Sequence, residues 1–339
     1  MTAIRFIKSV IVKRRVVLAA IIAFPSVLLF SGCAGSGKLC SGEVRAFFVG
    51  DVPIEMVFVE GGTFMMGRPN SEGRNCGGSN NVVHQVTLSN FYIGKYTVTQ
   101  EQWISVMGTE FIDRWVGAGK RGDNIPMHGV NWKDAQRFIS RLNSKTGKEF
   151  RLLTEAEWEY AARGGLKSNG YRYSGSNNID DVAWYKENSD RGTGHLRIIQ
   201  PVGEKQPNEL GIYDMSGNVF EWVADWYIKE YTSSPKRNPK RSRFAREPNK
   251  PLFSFKLFQN SLLWGPHAYG RVQRGGAWYT ESTWCLVFDR AVEPPERRGD
   301  GTGFRLAMNA PSTNNREHSS TLPCPSAVAQ TNGSSGSGM

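Results

Sequence analysis

Apolar side chains recur at helical spacing in three segments, and each segment begins after a residue that caps helices well. Thr99 and Thr154 are each followed three residues later by Gln or Glu, which is the capping-box pattern. Asn131 precedes apolar residues spaced for one buried face. We therefore predict three helices, which start after Thr99, Asn131 and Thr154.

Short apolar runs outside these helices predict strands. The runs lie at 56–59, 64–67, 86–88 and 91–98. Gly61 and Gly62 separate the first two runs, so we expect these two to form a hairpin. Beyond Gly165 the chain has many aromatic residues and few periodic runs. This pattern favours a loop-rich fold over a helix bundle.

The first 33 residues have the pattern of an export signal. A basic stretch that ends at Arg15 precedes an apolar run at 16–30, which is shorter than the roughly 20 residues of a membrane-spanning helix. Two small residues then lead to Cys33, as in a bacterial lipobox; the alternative is a plain signal peptide with an incidental cysteine. We predict a lipoprotein signal peptide at 1–32, a lipid on Cys33, and an exported protein anchored to a bacterial membrane at the cell surface.

The rest of the chain divides into a tether, one domain and a tail. Residues 33–50 form the predicted tether, and residues 51–310 carry the globular pattern. Residues 311–339 are rich in Ser, Thr, Asn and Gly, so we predict a disordered tail. One domain is therefore expected to carry the function.

The net charge is +11, and residues 229–250 are strongly basic. The prolines of this stretch and its lack of interleaved aromatic residues favour a solvated loop over a nucleic-acid surface. We therefore predict no nucleic-acid partner. One further hypothesis is an envelope protein whose basic residues at 236–246 hold an anionic surface polymer.

Besides Cys33, the chain has Cys40, Cys76, Cys285 and Cys324, which allow three pairings in an oxidising compartment. The sequence does not choose between these pairings, although we favour a buried, unpaired Cys285. The five histidines lack the spacing of metal ligands, so no zinc or iron site is predicted.

Seven short motifs occur in order between residues 51 and 308. They are the segment 56–67, Tyr96-Thr97-Val98-Thr99 with Trp103, Pro126-Met127 with Val130-Asn131-Trp132, the segment 151–159, the segment 211–222, Arg274-Gly275-Gly276 and Gly303-Phe304-Arg305. Together they resemble the formylglycine-generating-enzyme, or sulfatase-modifying factor, domain. The resemblance implies an α+β, C-type-lectin-like fold with little regular secondary structure.

The catalytic residues of the resembled enzymes are largely missing from this chain. In those enzymes a Ser follows the Gly-Gly pair, and two cysteines five residues apart bind copper and engage the substrate thiol. The matching positions hold Ala277, Thr280 and Cys285, and one thiolate cannot form the bis-thiolate site that suits Cu(I). We expect no copper and no catalysis. The alternative is a copper-dependent, formylglycine-generating oxidase of sulfatase cysteines that uses Cys285.

Residues 271–307 are most similar to the variable region of lipoproteins that retroelements diversify. A frame that includes Arg274-Gly275-Gly276, Cys285, Arg290 and Gly303-Phe304-Arg305 surrounds an irregular, aromatic-rich insert, which is typical of a binding site on a rigid scaffold. The predicted contacts to a protein or glycan ligand are Tyr279, Thr280, Glu281, Thr283, Trp284, Phe288, Asp289, Glu293 and Asp300. The resembled lipoproteins diversify through adenine changes in Asn codons. Such changes do not produce Glu or Trp, so this chain uses other template codons or is a non-diversifying relative.

Members of the resembled family often bind calcium at the segment that begins here with Asp214. Asp214 and Glu221 would supply carboxylate oxygens to the ion. Gly217 and Val219 would supply carbonyl oxygens. The resemblance therefore implies a structural calcium ion, and the alternative is a turn that satisfies its own hydrogen bonds through Asn218.

Overall fold

The computed structural model describes residues 39–69, 82–116, 121–190, 198–228, 234–240 and 270–311. The predicted signal peptide, the lipidation site at Cys33, the cysteines Cys76 and Cys324, and residues 312–339 of the predicted tail lie outside these ranges. None of the helices in the described ranges combines the length and hydrophobicity needed to span a bilayer. The chain from Leu39 onward forms one compact unit that contains two hydrophobic cores.

The described residues form five α-helices and twelve strands. The helices are α1 (Gln100–Met107), α2 (Glu110–Trp115), α3 (Trp132–Thr146), α4 (Glu155–Ala162) and α5 (Ile179–Val182). The strands are β1 (Val44–Val49), β2 (Val52–Val59), β3 (Thr63–Met66), β4 (His84–Thr87), β5 (Phe91–Gly94), β6 (Arg151–Leu152), β7 (Phe220–Trp226), β8 (Lys236–Arg237), β9 (Arg271–Arg274), β10 (Ala291–Glu293), β11 (Thr302–Phe304) and β12 (Leu306–Asn309). Short 3-10 turns lie at Gly165–Lys167 and Ser282–Cys285.

The strands form three small sheets. The five-stranded sheet has the order β1-β2-β5-β12-β6, the four-stranded sheet β10-β9-β7-β11, and the three-stranded sheet β3-β4-β8. Pairing is antiparallel except between β7 and β11 and between β4 and β8. The predicted α+β class is therefore confirmed.

All three predicted helix starts are confirmed by their caps. The Thr99 and Thr154 side chains accept hydrogen bonds from the backbone N–H groups of Gln102 and Glu157. Both capping boxes are complete, because the Gln102 and Glu157 side chains accept in turn from the N-cap backbone. Asn131 caps α3 in the same way. Local sequence alone therefore positions α1, α3 and α4.

The predicted hairpin between residues 56–59 and 64–67 is wrong. β2 pairs with β1 and β5, whereas β3 pairs with β4 in another sheet. The cause lies at Gly61, where a Cβ atom would stand 2.3 Å from the Leu88 carbonyl oxygen. This close approach takes the chain past Leu88 into the second sheet, and a residue with a side chain would not fit there.

The predicted tether is also too long. Residues 44–49 were assigned to it, but they form β1 and pair with β2 along its whole length. Phe47 and Val49 pack in one of the cores, so the folded body begins before the predicted boundary at residue 51.

The five-stranded sheet separates the two cores. Along β2, Met56 belongs to one core and Val57 to the other, as expected when successive side chains of a strand alternate between faces. On the first side, Trp103 of α1 stacks on Phe138 of α3 with 5.4 Å between ring centroids. On the second side, α4 buries Trp158 completely. Helices therefore cover both faces of the sheet.

The helix α4 also carries two fully buried carboxylates, and each meets a buried arginine. Glu155 accepts hydrogen bonds of 2.8 and 2.9 Å from the Arg290 guanidinium. Glu159 forms ion pairs with Arg274 and Arg163. Burial acts to raise the pKa of Glu159, but Arg163 and Arg274 outweigh it and hold the pKa below its usual value. These pairs fix both Arg274 and Arg290 of the predicted frame to α4.

We expect the substitution Glu155→Gln to lower the free energy of unfolding by about 3–5 kcal/mol, because Arg290 would remain charged and buried without its partner. Urea unfolding measures the difference. The matched control is Glu296→Gln, which breaks an exposed pair with Lys133 and should cost no more than about 1 kcal/mol. Equal effects of the two substitutions would show that the buried pair does not hold the frame.

Candidate ligand-binding site

The insert begins where β9 ends in two glycines. Gly275 and Gly276 both have left-handed backbone conformations, with φ of 97° and 74°. A Cβ atom on Gly276 would lie 2.7 Å from the Cys285 sulfur, so only glycine allows the insert to fold back this tightly. The insert thus starts from a rigid point, as predicted from the Gly-Gly pair.

Seven of the nine predicted ligand contacts lie at the surface. Tyr279, Glu281, Thr283 and Asp300 are exposed, and Thr280, Trp284 and Glu293 are half-buried. The remaining two contradict the prediction, because Phe288 is 3% and Asp289 1% exposed. The Phe288 ring packs beneath the guanidinium of Arg68, 5.1 Å from the ring centroid. Phe288 and Asp289 are therefore part of the interior and are not available to a ligand.

Tyr279 lies at the centre of one group of these residues. Its ring is 42% exposed and meets the Trp278 ring edge-on at 5.1 Å between centroids. A Cβ atom on Gly301 would stand 2.4 Å from the Tyr279 ring, so the ring lies directly over that glycine. Burial, and then the negative charges of Glu293 and Asp300, raise the pKa of the Tyr279 hydroxyl. Residues from both ends of the insert therefore meet at Tyr279.

A second group lies around Glu281 and Trp284. The Glu281 carboxylate forms an ion pair with Lys186, and the Lys186 backbone donates to the Thr280 carbonyl at 3.0 Å. The Trp284 ring meets the Phe220 ring edge-on at 6.2 Å. Because the Phe220 N–H donates to the Gly301 carbonyl at 2.8 Å, this second group adjoins the Tyr279 group.

The structure adds residues that sequence analysis missed. Lys186 borders the insert from the region after Gly165, where no periodic pattern signalled its position. Trp115 ends the short helix α2, is 50% exposed, and has the Arg298 guanidinium 5.1 Å from its ring centroid. The N-cap residue Thr109 of α2 makes no side-chain capping bond, and no residue pattern predicted the start of this helix.

The residues predicted to bind calcium do not fit the ion. Both Glu221 oxygens accept hydrogen bonds from the Arg305 guanidinium, and one also accepts from the Trp158 indole at 2.8 Å. The Asp214 carboxylate accepts from the Gly203 N–H at 2.8 Å. A buried guanidinium thus supplies the positive charge that calcium would bring. The hydrogen-bond partners of the two carboxylates come from outside the turn, so this arrangement does not support the calcium shell predicted at Asp214, Gly217, Val219 and Glu221.

The Asp214 carboxyl of this turn is buried. Burial raises the pKa of Asp214 to about 6, more than Arg305 and the surrounding hydrogen bonds lower it. Across the described ranges, no cluster of three or more His, Cys, Asp or Glu residues could hold a metal ion.

Cys285 has the surroundings of a structural cysteine. Its side chain is fully buried and forms no disulfide, which confirms the favoured prediction for this residue. Burial raises the pKa of its thiol to about 12, whereas nucleophilic and metal-binding cysteines act as thiolates. At the position of the other copper-binding cysteine, the Thr280 hydroxyl accepts from the Ala277 N–H at 3.0 Å. This geometry offers neither the reactive thiolate nor the second sulfur that a copper site needs.

Comparison with known proteins establishes the family of this chain. Residues 49–310 match the family model of the sulfatase-modifying factor enzyme 1-like domain. The chain belongs to this family. It is 37% identical over 220 residues to the chaperone protein LppX of Paenibacillus barcinonensis, covering 51% of this chain and 72% of LppX. It is 31% identical over 232 residues to the formylglycine-generating enzyme of Streptomyces coelicolor, covering 62% of each chain.

A solved structure with the same architecture is that of Treponema denticola variable protein 1. The two superpose with a TM-score of 0.60 and 27% sequence identity, covering 79% of this chain and 99% of the variable protein. This match confirms both the predicted C-type-lectin-like fold and the resemblance to variable proteins.

Iodoacetamide at mildly alkaline pH should leave Cys285 unmodified in the folded protein, because a buried thiol with a pKa of about 12 offers almost no thiolate. Peptide mass spectrometry measures the labelled fraction. The same sample in concentrated urea is the control and should label fully. Rapid labelling of Cys285 in the folded protein would instead indicate a reactive thiol.

The buried Asp289 should make stability depend on pH. Burial raises its pKa to about 6, although Arg68, Arg274 and Arg290 oppose this shift. Because the folded-state pKa lies above the unfolded value of 3.8, the folded state binds the proton more tightly. The stability contributed by this group therefore rises as pH falls through about 6 towards 4 and is lost again above 6.

Asp289→Asn should remove this dependence. Relative to the variant, the wild type should gain up to about 3 kcal/mol of unfolding free energy between neutral pH and about pH 4, since the shift is about two pKa units. Urea unfolding at a series of pH values measures both proteins. Parallel profiles would contradict the raised pKa.

Proposed function

We propose that this protein is an exported lipoprotein, anchored through Cys33 and displayed on the bacterial surface, that binds a protein or glycan ligand and catalyses no reaction. Its ligand face includes Tyr279, Trp284 and Asp300. The observation that carries this proposal is the contrast within one segment: the frame is buried, while seven of the nine predicted contacts lie at the surface.

The physical properties of this face suit binding. Tyr and Trp rings offer large contact areas and have few rotatable bonds to immobilise, and Thr side chains adapt through hydrogen bonds. Arg274 fixes the start of the insert and Arg290 fixes its middle, because both pair with carboxylates of α4. The face is therefore preorganised, and ligand binding would cost little conformational entropy. The carboxylates of Glu293 and Asp300 beside Tyr279 favour basic or hydroxyl-rich ligand groups.

Diversification by a retroelement extends the same proposal. Substitutions at Tyr279 or Thr283 would change the ligand face, because these side chains are exposed. The frame residues Arg274, Cys285 and Arg290 are buried and would stay constant. The likeness to a protein named as variable supports this division. Sequencing the locus in several isolates tests it: an adenine-rich near-copy of codons 271–307 beside a reverse transcriptase gene would support diversification, and an invariant insert would refute it.

The alternative is a copper-dependent oxidase that produces formylglycine from sulfatase cysteines. It would have to use Cys285 alone, a buried thiol with a raised pKa. Incubating the protein with Cu(I), oxygen and a sulfatase-derived cysteine peptide distinguishes the two functions. Turnover that is lost in Cys285→Ser would establish the oxidase and overturn the non-catalytic proposal.

The ligand face itself is tested with the chain from Leu39 onward on arrays of glycans and of surface proteins. For any ligand bound, Tyr279→Ala should weaken the affinity by at least about tenfold, as removal of an aromatic hot spot does, without changing the melting temperature. Ile104→Ala removes an exposed apolar side chain on α1 and should leave the affinity unchanged. Equal affinities of wild type and Tyr279→Ala would place the ligand elsewhere.

A further inference from the structure

The edge strand β1 exposes an apolar face. Along this strand Phe47 and Val49 pack inward, so the alternate residues Val44, Ala46 and Phe48 face the other way. Val44 is 38% exposed and Phe48 59%. The neighbouring strand β2 does not cover them, since Phe48 lies opposite Pro53 at the end of the sheet. An edge strand with exposed apolar side chains calls for a covering partner.

The 3-10 turn Gly165–Lys167 extends this face at the start of β1. A Cβ atom on Gly42 would lie 3.4 Å from the Lys167 amino nitrogen, and that nitrogen donates to the Ser41 carbonyl at 2.7 Å. Leu166 at the tip of the turn is 57% exposed. Gly164 and Gly165, which precede Leu166, both have left-handed backbone conformations that set the direction of the turn.

We call the group Val44, Ala46, Phe48, Leu166 and Lys167 the β1 surface. Opposite Ala46, on the same face of the sheet, Glu55 is neutralised by Lys95 at 3.3 Å. Lys167 adds one positive charge at the start of β1, and the Glu209 carboxylate lies against Gly164 on the other side of the turn. Lys95 also lies 5.2 Å from the ring centroid of Tyr96. Exposed apolar side chains bordered by Lys and Tyr are the composition that suits the interface of a bilayer.

The β1 surface lies close in sequence to the proposed lipid anchor. The described fold begins at Leu39, two residues before Ser41. Five residues, 34–38, lie between Cys33 and Leu39, so a fully extended chain separates these two residues by at most roughly 20 Å. A lipid on Cys33 would thus hold this face close to the headgroups. A lipid at the end of a short tether holds the chain at the membrane, and a further apolar or basic contact on the folded unit would restrict its orientation.

We propose that the β1 surface is a second membrane contact, which inserts Phe48 and Leu166 into the interfacial region of a bilayer with anionic headgroups while Lys167 pairs with those headgroups. This inference rests on the lipid anchor of the proposed function. It fixes the orientation of the folded unit on the membrane, which a flexible tether alone would leave free.

The test uses the chain from Leu39 onward, which lacks the signal peptide and Cys33 but keeps both cores. Co-sedimentation with vesicles of phosphatidylethanolamine and phosphatidylglycerol measures the partition coefficient. The wild type should bind, and Phe48→Ser and Leu166→Ser should each lower the partition coefficient roughly tenfold, as expected for the loss of one buried apolar side chain. Ile104→Ser, an exposed apolar position on α1, is the control and should bind like the wild type.

Three outcomes would overturn the proposal. The wild type could fail to bind the vesicles, or Phe48→Ser could bind as well as Ile104→Ser. Analytical ultracentrifugation could also show a wild-type dimer that Phe48→Ser dissociates, in which case a second copy of the chain covers the face. The anchor is tested separately, by fatty-acid labelling of the full chain and its Cys33→Ser variant. Vesicle binding without fatty-acid labelling would remove the anchor from the proposed function but would still support the β1 surface as a membrane contact.

Discussion

The buried ion pairs between α4 and the frame of the insert are the interactions on which the rest of the site depends. Charges as deeply buried as those of Glu155 and Arg290 are costly to desolvate, and they are tolerated only when each carboxylate meets its guanidinium with good geometry. Glu159 and Arg274 repeat the arrangement one turn along the helix. Such pairs contribute less to net stability than to uniqueness, because every shifted position of the frame would leave a charge unpaired in the interior.

Buried frame residues and exposed insert residues alternate within this segment, so the proposed ligand face coexists with a tightly packed core. The guanidinium of Arg305 donates to Glu221 and to backbone carbonyls of three further residues, so it ties β5 and β7 together at the far end of the insert. The side chains of Tyr279 and Thr283 are exposed instead. A change at those two positions alters what a ligand meets, whereas a change at Arg305 disturbs several strands together.

The elements that depend on nearby residues could be predicted from the sequence. The elements whose positions depend on contacts with distant parts of the chain could not. Capping at Thr99 and Thr154 depends on residues three positions away, so the helix starts could be read directly. The partner of β3 depends instead on contacts between residues more than 20 positions apart, such as the approach of Gly61 to the backbone of Leu88 after β4. Phe288 was assigned to the ligand face because an irregular insert has no periodicity to separate inward from outward side chains. Only its packing under Arg68 shows that it belongs to the interior.

Contacts within the protein close the start of the insert. Here the Thr280 hydroxyl bonds to both the N–H and the carbonyl of Ala277 at 3.0 Å, and the Cys285 thiol packs without a charge against Gly276. Hydrogen bonds and close packing thus close the loop locally. Because that closure uses only the base of the insert, the outward side chain of Tyr279 remains available for recognition.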